Sequence, residues 1–152
     1  MFSLAGISQR AILIPYSASK RREKLDPEKR ERLPEHFPEK LLEAASAIEG
    51  VYAGGVAWKY EDAMKAIHAI ADAHYAILGG DVYRKEHDKL VSTYDSWYLN
   101  QQALSWEEYV EESRKKALSY IEMYDRRNGK MYYYAPVTAE EGWKKHRMTS
   151  SS

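Results

Sequence analysis

The chain has 152 residues, of which 44% are hydrophobic and 30% charged, and its 23 basic and 23 acidic side chains cancel to a net charge of zero. This balance is typical of one soluble globular domain, and it argues against a general affinity for nucleic acid or anionic membranes. The lack of cysteine excludes disulfides and thiolate metal sites and favours the reducing cytoplasm. No apolar run approaches the roughly 20 residues that span a bilayer.

The first 40 residues are predicted to form an extension and a linker. Residues 1–19 carry Arg10 but no acidic residue, and their basic cluster follows the apolar stretch, the reverse of a secretory signal. A short strand or an unordered start is expected there, and an organelle-targeting segment is the weaker alternative. Fourteen of the 21 residues in 20–40 are charged, which leaves little apolar surface to offset the entropy of ordering. We therefore expect one folded domain over 41–148 and a disordered tail over 149–152.

The folded part is predicted to begin with two helices and a hairpin. "KLLEAASAIEG" indicates a helix that starts near Leu41 and is stopped by Gly50. Apolar residues recur every three to four positions over 59–74, which predicts an amphipathic helix. Residues 75–84 and 90–99 have the composition of antiparallel strands, joined by the polar turn "KEHDK".

A long helix and a last strand follow the hairpin. "SWEEYVEESRKKALSYIEMYDRRNG" opens with Ser105 and Glu108, the spacing of a capping box, and ends at Gly129. Residues 130–137 then predict a strand, and Pro136 favours an edge position for its end. The order of elements indicates an α+β domain, with a small, mostly antiparallel sheet and helices packed on one face.

A pair of glycines, Gly79 and Gly80, interrupts the first hairpin strand in "YAILGGDVYRK". Neither a Walker loop nor a dinucleotide fingerprint fits, because the strand pattern continues and Asp81 would repel a phosphate. Glycine inside a strand instead marks a bulge or the close approach of a backbone or a bulky ring. We expect the pair to make room for an aromatic ring, and a half-buried Asp81 to need hydrogen-bond donors.

Catalytic groupings are few. Asp81 and Asp95 lie on facing strands of the predicted hairpin, so a small hydrolase or ligand-binding protein with these carboxylates in an aromatic-lined pocket is the alternative function. The five histidines are scattered, and none has the spacing of a zinc-binding helix. We expect no catalytic residue, no metal and no cofactor.

Aromatic residues suggest binding. The chain has 13 Tyr and 4 Trp but only 2 Phe, and rings with a polar group suit core edges and interfaces. Strand alternation in "TYDSWY" separates two sets of side chains, namely Thr93, Asp95 and Trp97 on one face and Tyr94, Ser96 and Tyr98 on the other. One face must meet the helices, so the other is expected to face a partner or to pack under the first 40 residues.

Taken together, these motifs resemble the immunity protein 40 family of bacterial polymorphic-toxin systems. The resemblance spans Val56 to Val137: an amphipathic helix leads into "AILGGDVY", a turn into "TYDSWY", and the "ESRKKALSYIEMY" helix into "YYYAPV". The first 50 residues match nothing in the family's pattern. The positions that match the motif are Gly79, Gly80, Asp81, Val82, Tyr83, Tyr94, Asp95, Trp97 and Tyr98.

The resemblance implies a non-enzymatic α+β protein that binds and neutralises the toxin of a neighbouring bacterium. Residues shared by a family whose members face different toxins are expected to hold the fold, and variable surface residues to choose the partner. One such surface is the acidic start of the long helix, namely Glu107, Glu108, Glu111 and Glu112, which could cover a basic nuclease-type site.

Overall fold

The computed structural model describes residues 33–49, 55–100 and 105–141. In chain order they form α1 (Glu39–Ala44), β1 (Ser46–Ala47), β2 (Val56–Lys59), α2 (Tyr60–Asp72), β3 (Ala76–Glu86), β4 (Lys89–Tyr98), α3 (Trp106–Asn128) and β5 (Tyr132–Ala139). Within these residues the strands build one sheet in the order β1-β2-β5-β3-β4, and every neighbouring pair is antiparallel. The predicted α+β class is confirmed.

Helices α2 and α3 pack against one face of the sheet, which we call the helical face. The main core lies between these two helices and the sheet, and its largest fully buried side chains include Trp58, Tyr134, Ile67 and Ile121. A smaller cluster on the opposite face contains Ile48 and strand residues but no residue of a helix, and we call this side the strand-only face. Most of the Tyr and Trp residues in the described ranges are thus buried in the core or packed against it, as expected from the commonest use of such rings.

The first helix is shorter than predicted. α1 ends at Ala44, because Ala45 is already extended and the next two residues pair with β2. Burial of Ile48 in the cluster on the strand-only face outweighs the helix propensity of the alanines around it. Gly50, the predicted stop, lies outside the described residues.

The packed part of the chain begins before Leu41. Phe37 is buried and lies 5.8 Å from Trp58, measured between ring centroids. The indole Nε1 of Trp58 donates a hydrogen bond of 2.6 Å to the carbonyl oxygen of Leu41. Residues 1–32 and 142–152 lie outside the described residues, and with them the predicted extension, most of the linker and the tail.

The hairpin is tighter than the predicted turn. β3 and β4 run on to Glu86 and Lys89, so only His87 and Asp88 remain between them. Both have positive φ, 51° and 67°, as a two-residue turn requires when its twist matches that of the strands.

The capping box at the start of α3 is confirmed, but the edge position of Pro136 is wrong. Ser105 and Glu108 exchange side-chain and backbone hydrogen bonds at the helix start. Pro136 lies in β5, between β2 and β3, and pairs with Gly80. β2 has four residues, Val56–Lys59, and pairs with β5 at Tyr134 and Tyr133. Pro136 therefore lies outside the pairing between these two strands.

Candidate partner-binding surface

The two glycines of β3 make room for Trp97, but in two different ways. A Cβ atom on Gly80 would overlap the indole, with Cζ2 and Cζ3 of Trp97 only 2.6 Å away. A Cβ atom on Gly79 would instead overlap the carbonyl oxygen of Trp97 and come within 2.9 Å of the Cα atom of Tyr98. The prediction that the pair accommodates a ring is therefore confirmed at Gly80, whereas Gly79 accommodates backbone.

Trp97 leads into a row of rings along α3. Its indole stacks on Tyr120 at 5.1 Å between centroids, and Tyr120 stacks on Tyr124 at 5.9 Å. The Tyr124 hydroxyl donates a 2.7 Å hydrogen bond to Oδ2 of Asp95. Burial and this hydrogen bond raise the pKa of Tyr124 to about 12. The row joins β4 to α3, so Trp97 and Asp95 of the family motif support the fold.

Removing the hydroxyl of Tyr124 is expected to destabilise the protein, whereas removing that of Tyr134 is not. Tyr124→Phe loses a hydrogen bond to a carboxylate, worth about 1.5 kcal/mol. The Tyr134 hydroxyl is buried and has no hydrogen-bond partner among the described residues, so Tyr134→Phe should be neutral or stabilising by up to about 1 kcal/mol. Urea denaturation of both variants measures this, and equal losses would contradict it.

The stabilisation by the hydrogen bond between Tyr124 and Asp95 is expected to depend on pH. The pKa of Tyr124 rises from 10.0 to about 12 on folding, so the folded state favours the neutral phenol. Its contribution is complete below pH 10 and is lost as the pH rises towards 12. The stability difference between wild type and Tyr124→Phe should therefore shrink between these pH values.

Asp81 and Asp95 do not form a carboxylate pair. Asp95 reaches Tyr124 on the helical face, where Trp97 also lies. Gly80 pairs with Trp97 and shares that face, so the next residue, Asp81, points to the strand-only face. Two carboxylates on opposite faces of a sheet cannot flank one substrate. The geometry thus gives no support to the hydrolase alternative.

The donors expected around Asp81 are found around Asp95 instead. No hydrogen bond or ion pair joins Asp81 to any part of the chain that the structure describes. Burial raises the pKa of its carboxyl group, since no donor compensates for the lost water.

A bulge in β4 presents Tyr94. Between its pairs with Asp81 and Tyr83, β4 advances four residues, from Ser96 to Ser92, while β3 advances two. Tyr94 lies in this bulge with a φ of 68°, a left-handed conformation that costs a bulky residue about 1–2 kcal/mol. Its side chain is nevertheless 92% exposed.

Side chains of the bulge hold this conformation. The backbone amide of Tyr94 donates to Oγ of Ser92 at 3.0 Å, and that of Asp95 donates to Oγ1 of Thr93 at 3.1 Å. The Thr93 hydroxyl in turn donates to the carbonyl oxygen of Val82 at 2.8 Å. These bonds leave the Tyr94 ring at the top of an anchored bulge.

Further exposed apolar side chains lie on the strand-only face near the bulge. Tyr98 is 71% exposed and Val137 45% exposed, and both are paired with Gly79, one from each side. β4 is the last strand of the sheet, so this surface continues to the sheet edge. We call Tyr94, Tyr98, Val137 and Asp81 the edge surface. Val82 and Tyr83, the other motif residues of this strand, are buried.

The acidic start of α3 is partly engaged within the chain. Glu108 belongs to the capping box. Arg114 lies 3.2 Å from Glu111 and 2.8 Å from Asp72, so it neutralises part of the charge. Glu107 is exposed beside them, and Glu112 is half-buried. Two of the four glutamates therefore already have structural partners.

Neither a metal centre nor a membrane helix is found in the described ranges. Residues 33–49, 55–100 and 105–141 contain no group of three or more His, Asp or Glu side chains arranged to hold a metal ion. No helix within the same ranges is long and apolar enough to cross a membrane.

Sequence reasoning missed the bulge and the partners of Asp95 and Trp97. Tyr120 and Tyr124 lie four residues apart on the long helix, but their contacts with Trp97 and Asp95 depend on the packing of α3 against β4. The only local signal for the bulge is the Ser92-Thr93 pair, whose hydroxyls accept hydrogen bonds from nearby backbone amides.

Comparison with known proteins supports one assignment. No curated protein and no solved structure matches the chain. The family model described as Immunity protein 40 matches residues 47–138, which is more than half of the chain and includes the whole segment that carried the resemblance. The chain therefore belongs to the immunity protein 40 family.

Proposed function

We propose that this protein binds a cognate polymorphic toxin through the edge surface and neutralises it by covering the toxin's active surface. The proposal departs from the expectation that motif residues only hold the fold, because Asp81, Tyr94 and Tyr98 belong to the motif and are not buried. The observation that carries the proposal is Tyr94, a bulky residue held in a left-handed conformation with 92% of its side chain exposed. Strain at an exposed ring does nothing for folding, whereas a rigid aromatic side chain is a common anchor in protein interfaces.

The construction of the bulge supports the same function. Ser92 and Thr93 hold the backbone on either side of Tyr94 before any partner arrives. A preordered anchor loses little conformational entropy on binding, so more of the contact energy appears as affinity. Tyr98 and Val137 extend the apolar surface next to it.

The proposed mode of action needs no chemistry from the protein itself. Steric covering of a toxin requires a stable surface and no catalytic group, cofactor or metal ion. We propose that the protein acts in the cytoplasm, in agreement with its lack of cysteine. The partly neutralised acidic start of α3 remains the second candidate surface, because Glu107 and Glu112 belong neither to the capping box nor to the Arg114 ion pairs.

The test is direct binding to the toxin domain encoded beside the gene. The purified C-terminal domain of that toxin should bind the full-length protein, and co-expression should restore growth to cells that produce the toxin. A gene neighbourhood without a toxin gene, or a neighbouring toxin that neither binds nor is neutralised, would refute the proposal.

Two variants then separate the candidate surfaces. Tyr98→Ser should weaken toxin binding at least tenfold if the edge surface is the interface, because an exposed aromatic contact is lost. The double variant Glu107→Gln/Glu112→Gln should bind as the wild type does. The reverse pattern would move the interface to the start of α3.

A further inference from the structure

Asp81 occupies an unusual position on the edge surface. It points to the strand-only face from the middle of β3, a strand with neighbours on both sides. It is half-buried, and no donor from the described residues reaches its carboxylate. The carboxylate is partly desolvated, which is unfavourable without a partner, but its oxygens are not among the fully buried unpaired atoms. A cationic group from outside the chain can therefore reach it and offset the lost hydration.

Three of the residues next to Asp81 on this face are small, and the large one, Tyr83, two residues further along β3, is buried in the cluster on the strand-only face. Across the strands it is paired with Ser96 and Ala135, and Gly79 lies two residues before it on the same face. One row further along, Gly79 is flanked by the exposed side chains of Tyr98 and Val137. Little side-chain bulk therefore stands between the carboxylate and an approaching extended side chain.

Two lysine side chains of the protein itself lie against a tyrosine ring on the strand-only face. The Nζ atoms of Lys59 and Lys85 lie 5.7 and 5.2 Å from the centroid of Tyr133, close enough for a cation–π interaction. Neither lysine forms an ion pair with Asp81. Within the described residues, these two ammonium groups are therefore engaged with Tyr133, and neither neutralises the carboxylate.

We propose that Asp81 receives a basic side chain, arginine or lysine, from the toxin, with the side chain lying across Gly79 beside the ring of Tyr98. This inference rests on the proposed function and adds the chemistry of the partner. The carboxylate supplies the charge, the small neighbours supply the space, and the tyrosine offers a face to the cation. No neutral partner would satisfy the carboxylate as well.

The experiment compares Asp81→Asn with Asp88→Asn in titrations of the full-length protein against the toxin's C-terminal domain. Both variants remove one negative charge from the same hairpin, but Asp88 lies in its turn, and asparagine tolerates the positive φ there. Asp81→Asn should weaken binding 10- to 100-fold and flatten its salt dependence, whereas Asp88→Asn should change affinity less than twofold. The melting temperature of Asp81→Asn should not fall, since the carboxylate has no partner to lose.

A second measurement identifies the basic residue. Each arginine and lysine on the toxin domain is changed to alanine, and each variant is titrated against wild type and Asp81→Asn. For one of these toxin variants, the affinity for the wild-type protein should fall at least tenfold relative to the unchanged toxin. The affinity of the same toxin variant for Asp81→Asn should equal that of the unchanged toxin for Asp81→Asn. If no toxin residue shows this coupling, or if Asp81→Asn binds as the wild type does, the inference is wrong while the proposed function stands. If the wild type itself does not bind, the proposed function fails.

Discussion

Gly79→Ala and Gly80→Ala are expected to be the most destabilising single-methyl changes in the sheet. The methyl group on Gly80 would overlap the indole of Trp97, which is an overpacking that costs about 1–3 kcal/mol. The methyl group on Gly79 would overlap the backbone of Trp97, so strand β4 itself would have to shift. We therefore expect the larger loss at Gly79, about 3 kcal/mol or more, because ladder hydrogen bonds are disturbed as well.

A second substitution distinguishes the two causes. In a Trp97→Phe background the smaller ring leaves room at position 80, so Gly80→Ala should cost less there than in the wild type. Gly79→Ala should cost the same in both backgrounds, because its clash is with backbone atoms. Gly129→Ala is the control for backbone strain without a clash: with a φ of 94°, a ψ of 179° and no atom within 4 Å of an added Cβ, it should lose about 1–3 kcal/mol in both backgrounds. Urea denaturation measures the free energy of unfolding of each variant. If Trp97→Phe reduced the loss caused by Gly79→Ala, the assignment of that clash to backbone atoms would be contradicted.

Tyr94→Asn is expected to weaken toxin binding at least tenfold without lowering the stability of the free protein. Asparagine tolerates the left-handed region better than tyrosine does, so part of the backbone strain of about 1–2 kcal/mol is relieved. The exposed ring, which contributes little to the core, is lost from the interface. Weaker toxin binding together with equal or higher stability of the free protein is the expected result for a strained recognition residue.

Met131→Asn provides the matched control. Met131 is also a large exposed side chain, 66% accessible, in the turn before β5 and outside the edge surface. Its replacement should leave toxin affinity within about twofold of the wild type. Calorimetric titration and thermal denaturation of both variants complete the comparison. Unchanged affinity in Tyr94→Asn, or a loss of stability above about 1 kcal/mol, would show that the bulge serves the fold and not the partner.

Much of this fold could be predicted because its signals are local. The capping box at Ser105 depends on residues three positions apart, and it was found as expected. The hairpin of β3 and β4 follows from two alternating segments separated by a short polar turn. Even the room that Gly80 leaves for a ring was predictable, because few other uses of glycine exist inside a strand.

Other features depend on distant contacts and were missed. The helix predicted over residues 41–50 stops at Ala44, because pairing of β1 with β2 offers those residues a better arrangement than a helix does. Pro136 was expected at an edge, but β5 is central and the short β2 does not pair with it there. Neither outcome can be read from the local segment alone.

By itself, the sequence determined the class of the fold, the hairpin, the long capped helix and the membership of the immunity protein 40 family, since periodicity, capping and motif order are properties of neighbouring residues. The tertiary structure alone decided which carboxylate is satisfied and which ring is exposed. Asp95 and Asp81 look alike in the sequence, but Asp95 meets Tyr124, whereas Asp81 points away from the helices. The bulge in β4 also turns Tyr94 out of the sheet. The reason is physical: a side chain's partners are set by strand register and helix packing, which bring together residues that are far apart in the chain.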